Sequence, residues 1–191
     1  VTALDGKEIN EAVSRVVNGG WYLQGKENEK FEADYSKFIG TKYTIGCANG
    51  LDALIWIFRA YIEMGVMQSG DEVIVPAPYW VSYVDMVKLA DGTVIEIPCG
   101  IAQDFKMTAA QLKAALNEKT RAIIFSSPSN PTGSLYSYEE LKSFAEILVD
   151  YPRVIVISDE IYEHINYVGA HQSIAQFESI RDRVVDRKSV V

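Results

Sequence analysis

A three-layer α/β fold with a doubly wound, mainly parallel sheet is what this sequence predicts, and three observations predict it. Short apolar runs recur along the chain, several of them lack polar alternation, and helical patterns lie between them. A strand covered on both faces has no solvent side to mark with polar residues, so it reads as a continuous apolar run. Alternating strands and helices build βαβ units. Strands are expected near 43–47, 73–76, 93–97, 121–126 and 153–158. The whole chain, 1–191, reads as a single α/β domain, with residues 1–20 as an N-terminal helix or arm.

The helices follow from spacing. Residues 29–38 place Phe31, Tyr35 and Phe38 on one face. Residues 51–64 are apolar around much of the circumference, as a well-buried helix would be. Three more helices are expected over 80–89, 108–116 and 138–148. Thr108 with Gln111, and Ser137 with Glu140, have the spacing of a capping box. The last ten residues, from Asp182, begin as a strand and are then interrupted by charges.

Composition narrows the function. The chain is 48% hydrophobic and 23% charged, ordinary for a soluble globular protein. A net charge of −8 argues against nucleic acid and anionic membranes as partners. No apolar run reaches the roughly 18 residues of a membrane span, and the first ten residues carry Asp5, Lys7 and Glu8 rather than an apolar signal core. Cys47 and Cys99 form no C-x-x-C and are expected to be packed, reduced thiols, which suits a cytoplasmic setting. His164 and His171 are seven residues apart without a third ligand type at metal spacing, so no metal site is expected.

In open parallel sheets, ligands bind beyond the carboxyl ends of the strands, so the residues after each strand carry the functional reading. Ala48-Asn49-Gly50-Leu51-Asp52 is a glycine turn entering a helix, where free N–H groups suit a phosphate; it is equally an ordinary turn. Pro76-Ala77-Pro78-Tyr79-Trp80 ends a strand and presents two rings. Trp80 either stacks on a flat ligand or packs in the core. Ser126 to Gly133 is a rigid polar loop that offers the Asn130 amide. Asp159 follows an apolar strand and needs a partner, either a cationic ring nitrogen or a helix N-terminus, and Tyr162 follows it closely. Together these loops supply anion binding, a stacking ring, an amide, a carboxylate and a phenol. A phosphorylated aromatic cation would need those parts.

Two stretches carry a family resemblance. Ala77-Pro-Tyr-Trp-Val-Ser-Tyr83, Ser127-Pro-Ser-Asn-Pro-Thr-Gly133 and Ser158-Asp-Glu-Ile-Tyr-Glu-His164 resemble bacterial aspartate aminotransferases, over about 70–185. Gly20-Trp-Tyr-Leu-Gln-Gly25 and Ala48-Asn-Gly-Leu-Asp-Ala-Leu54 resemble sugar-nucleotide aminotransferases, over about 9–77. The chain thus reads as two related pieces joined near a shared strand, a recombined or designed chimera, with a natural divergent protein as the alternative. Both branches share the large domain of the fold type I enzymes that use pyridoxal 5′-phosphate. The resemblance implies that Gly50 and Leu51 bind the phosphate through backbone N–H groups, and that Trp80 stacks on the pyridine. It implies that Asn130 and Tyr162 donate to the phenolic oxygen, and that Asp159 keeps the ring nitrogen protonated. Many relatives carry a hydroxyl residue where Leu51 stands.

The departures set the functional expectation. The resemblance implies a Schiff-base lysine in a Ser-Lys pair just after Val185, whereas this chain reads Asp186-Arg187-Lys188-Ser189. The implied reading is a domain that binds the cofactor weakly and without a covalent bond, inactive alone. Its partners would be a small amino or keto acid and a second copy of the chain. A scaffold without a ligand, and an aminotransferase completed by further segments, are the alternatives.

Overall fold

The computed structural model describes residues 6–187, which divide into two compact units, one up to Ala48 and one from Asn49. The first unit holds helices α1 (Gly6–Gly19) and α2 (Lys26–Ile39). In α1 the apolar residues Ile9, Val13 and Val17 recur at the spacing of one helical face. In α2 the rings of Phe31 and Tyr35 stack at 5.6 Å, and Phe38 follows at 6.2 Å from Tyr35, the face that the spacing predicts. Arg15 pairs with Glu27 in the first turn of α2 at 2.6 Å. Gly40 ends α2 in a left-handed conformation, φ 73°, which an L side chain resists.

The second unit runs α3 (Gly50–Glu63), β1 (Glu72–Ala77), α4 (Ser82–Leu89), β2 (Thr93–Pro98), α5 (Ala109–Ala115), β3 (Thr120–Ser126), α6 (Tyr138–Leu148), β4 (Ile155–Asp159) and β5 (Val184–Arg187). The strands form one sheet in the order β2-β1-β3-β4-β5, and every neighbouring pair is parallel. The chain steps outward from β1 to β2, then returns to β3 on the other flank of β1. That reversal leaves a switch point between β1 and β3.

The uninterrupted apolar runs are explained by packing on both faces. Successive side chains of a strand point to opposite sides. Val73, Val75, Ala122, Ile124, Ile155 and Ile157 pack with α3 and α4 through Leu54, Phe58, Tyr83 and Met86. Ile74, Ile123, Phe125 and Val156 pack on the other face with α5 and α6, through Leu112, Leu141, Phe144 and Leu148. The three-layer, doubly wound reading is therefore correct. Both capping boxes form as the sequence predicts, at Thr108/Gln111 and Ser137/Glu140. The guanidinium of Arg183 donates to the carbonyls of Leu148, Tyr151 and Val154, which closes the end of α6 and the turn into β4.

Two expectations are corrected. Residues 43–47 form no strand: Tyr43 is 72% and Ile45 85% exposed, and no strand among the described residues pairs with them. The fifth strand is instead β5, drawn from the charge-interrupted end; the charged run Arg181–Arg183 coils into a 3-10 turn and leaves Val184 and Val185 to pair with β4. Cys99 is buried as expected, but Cys47 is exposed, because the strand that would have covered it does not form.

Glu140 gives the fold a pH dependence. Burial pushes its carboxyl up, but bonds from Lys106 (3.0 Å) and from the Ser137 N–H (2.7 Å) outweigh that and hold it below its ordinary value. A depressed carboxyl stabilises the fold above its unfolded value, about 4.3, and the contribution disappears as pH falls through the folded value. Glu140→Gln is expected to flatten part of the stability loss below about pH 4.3. Thermal unfolding of both proteins from pH 3 to pH 7 checks this; parallel curves would contradict it.

Candidate functional site

The loops at the carboxyl ends of β1, β3 and β4 border the switch point, and each carries a chemically capable side chain. After β1, Pro78 and Tyr79 lead to Trp80, which is half-buried. Its ring meets the ring of Tyr83 edge to face, 5.7 Å between centroids and 89° between planes. Tyr83 lies three residues on, in the first turn of α4, and is 2% exposed. Its hydroxyl donates to Oδ2 of Asp159 at 2.7 Å.

Asp159 is the last residue of β4 and is 3% exposed. A desolvated carboxylate is costly unless donors compensate it. The Tyr83 hydroxyl is one such donor, and the Ile161 N–H approaches Oδ1 at 3.4 Å. Asp159 is thus fixed in direction, with one oxygen held by a short bond and the other by a long one.

The loop after β3 turns tightly. Gly133 donates to the Ser129 carbonyl at 2.8 Å and adopts φ 73°, a conformation open to glycine. This turn presents Asn130, whose amide reaches the Tyr162 hydroxyl at 3.4 Å. Asn130 and Tyr162 line one crevice with Pro128, Leu135 and Ile165. Asn130 and Tyr83 line a second, narrower one with Tyr79 and Ser126. Tyr136 also borders the narrower crevice; burial pushes its phenol up, so it stays neutral and accepts the Met107 N–H.

The structure therefore brings Trp80, Asn130, Asp159 and Tyr162 together, with Tyr83 as the connecting residue. Gly50 and Leu51 begin α3. Asn49 caps that helix by accepting the Asp52 N–H, and the first N–H groups of any helix lack an intrahelical partner. No hydrogen bond or ring contact among the described residues links Gly50 or Leu51 to the other four. The residue arrangement can hold a flat ring against Trp80, anchor a protonated nitrogen at Asp159 and donate to an anionic oxygen from Asn130 and Tyr162.

Sequence reasoning assigned no role to Tyr83 or to Glu160. Tyr83 lies one turn past Trp80, its N–H donating to the Trp80 carbonyl at 3.0 Å, and that three-residue spacing was visible in the sequence. Glu160 follows Asp159, so alternation sends it to the other side of the sheet, but its partners His171 and Ser173 have no local sequence signal. No helix among the described residues is long and apolar enough to cross a membrane.

Comparison with known proteins agrees with this geometry. The family model for aminotransferase class I and II matches residues 16–191. The Bacillus subtilis aspartate aminotransferase is 36% identical over 188 residues, 97% of this chain and 46% of that protein. A probable aspartate/prephenate aminotransferase of Rickettsia bellii is 53% identical over 106 residues, 56% of this chain and 27% of that protein. A solved structure of the Thermus thermophilus aspartate aminotransferase with maleate superposes with a TM-score of 0.66 at 35% identity, covering 73% of this chain and 35% of that one. The chain spans less than half the length of these relatives. With its parallel sheet, its switch-point loops and a family match over most of its length, the chain belongs to the class I and II aminotransferases.

Proposed function

We propose that this chain is a pyridoxal 5′-phosphate-binding domain of an amino-acid aminotransferase and that it does not transfer amino groups by itself. The observation that carries the reading is the buried Asp159 carboxylate at the end of β4, held by the hydroxyl of Tyr83, whose ring meets Trp80 edge to face. Those residues fit the cofactor: a buried, oriented anion suits a protonated ring nitrogen better than it suits an empty core position.

When bound, pyridoxal phosphate supplies an electron sink for a carbanion at the substrate's α-carbon. The chain's residues bind and orient. Trp80 covers one ring face. Asp159 holds a proton on the ring nitrogen. Asn130 and Tyr162 donate to the phenolic oxygen. The N–H groups of Gly50 and Leu51 receive the phosphate, and the aliphatic Leu51 adds no hydroxyl donor there. The relatives' names point to amino and 2-oxo acids as substrates. A homodimer in the cytoplasm completes the proposed reading.

Turnover also needs a lysine that carries the cofactor and moves the substrate's proton, and a positioned base alone is worth about 10²–10⁴-fold. The stretch that should hold it reads Asp186-Arg187-Lys188, and Lys188 lies outside the described residues. The purified chain, given pyridoxal phosphate, aspartate and 2-oxoglutarate, is expected to form no glutamate above the rate with the cofactor alone. Aspartate-dependent glutamate formation would overturn the claim of inactivity.

A second reading concerns origin: residues 9–77 and 70–185 as two recombined pieces. It rests on the two resemblances, carried by Gly20–Gly25 and Ala48–Leu54 on one side and by Ala77–Tyr83, Ser127–Gly133 and Ser158–His164 on the other.

A further inference from the structure

We propose that Glu160 is a positioning residue: its carboxylate clasps the base of the loop 161–170 and thereby sets where Tyr162 stands. The proposal rests on the reading of the Asn130–Tyr162 crevice as part of the cofactor site, and its test separates the two.

Glu160 is 1% exposed, just past the end of β4, on the opposite side of the chain from Asp159. A carboxylate so desolvated needs strong donors. It has three. The hydroxyl of Ser158, on β4, donates to Oε1 at 2.9 Å. The hydroxyl of Ser173 donates to the same oxygen at 2.8 Å. Nε2 of His171 lies 2.8 Å from Oε2. One partner thus comes from the strand, and two come from the chain after it has travelled out and back. The carboxylate ties the two ends of the excursion together.

The excursion has little else to hold it. Residues 161–170 form turns and bends, with no helix or strand. Yet this loop supplies Tyr162, Ile165, Tyr167 and Val168 to the crevice that Asn130 faces. The hydrogen bond between Asn130 and Tyr162 is long, 3.4 Å, so a small drift of the loop would break it. His171 adds a second sign of the clasp. Its Nδ1 is buried and has no hydrogen-bond partner among the described residues, so hydrogen bonding holds the ring from the Glu160 side alone. A carboxylate oxygen of Glu163 also lies within 4.8 Å of these ligand atoms. Oε2 of Glu160 faces His171 and Oε1 faces Ser158 and Ser173, which are the contacts of a clasp.

The experiment uses the full chain without added cofactor. Amide hydrogen exchange of 161–170 is compared with that of β3 in the unaltered chain, Glu160→Gln and His171→Ala, and the Asn130 side-chain amide is followed by NMR. Loop exchange is expected to quicken about tenfold or more in both variants, with β3 unchanged, because a lost charge-assisted bond frees the loop without unfolding the sheet. The Asn130 amide signal should move or broaden in the same variants. Ser173→Ala, which leaves the His171 bond in place, should shift both readouts in the same direction by less, and it serves if Glu160→Gln does not fold. Unchanged loop exchange in the variants would overturn the clasp. A loosened loop with an unmoved Asn130 signal would overturn its role in placing Tyr162. Failure of the unaltered chain to bind pyridoxal phosphate in a parallel titration would remove the cofactor reading and leave the clasp to be decided by these two signals.

Discussion

Phe144→Ala is expected to cost about 3–5 kcal/mol of folding stability, the largest effect of any substitution considered. The ring is 1% exposed and sits between two others, 5.4 Å from Tyr136 and 6.3 Å from Phe125, both edge to face. Leu141, Ala145 and Leu148 complete the stripe by which α6 covers its side of the sheet. Truncation leaves a cavity that strands β3 and β4 cannot fill, since their other faces are held by α3 and α4. A domain of this size holds about 5–15 kcal/mol in all, so the variant would keep only part of its margin. Phe144→Leu retains most of the volume and should cost less than half as much. Urea unfolding of the three proteins checks the order. An alanine variant within about 1 kcal/mol of the parent would mean that α6 is not core.

Asp159→Ala is expected to weaken pyridoxal phosphate binding about 10–100-fold, the value of a lost charge-assisted hydrogen bond. The same change removes the Asp159 oxygen that the Tyr83 hydroxyl, on a residue 2% exposed, donates to, and should cost about 1–3 kcal/mol of stability before any cofactor is added. Tyr83→Phe removes the donor alone, and the double variant should be less damaged than the sum of the two, because they share one bond. A binding titration reads the first effect and thermal unfolding the second. Equal affinity in Asp159→Ala and the parent would place the ring nitrogen elsewhere.

The sheet's core was legible because burial on both faces leaves a plain mark: Glu72–Val75, Ala122–Phe125 and Val154–Ile157 have no solvent side to encode. The capping boxes at Thr108 and Ser137 were legible because their geometry is local. Tyr43–Cys47 has the same apolar look as a strand, yet β structure requires a neighbour, and no local pattern shows whether one is there. At Val184–Arg187 the short apolar start was readable as a strand, and pairing with β4 carries it on through the charged residues. At the site, the types and order of Trp80, Asn130, Asp159 and Tyr162 were readable from the loops that carry them. Their connection through Tyr83, and the Glu160 clasp eleven and thirteen residues from its partners, exist only once the chain is folded.

The central claim, that the carboxyl edge of this sheet holds pyridoxal phosphate through Asp159 without a covalent bond, is tested most directly by one titration. The unaltered chain is titrated with pyridoxal phosphate, followed by cofactor absorbance and by quenching of tryptophan fluorescence, and then treated with borohydride. The account predicts a saturable change that Asp159→Ala weakens, with no single lysine labelled in an Asp159-dependent way. A change that never saturates, or one lysine labelled only when Asp159 is present, would contradict it.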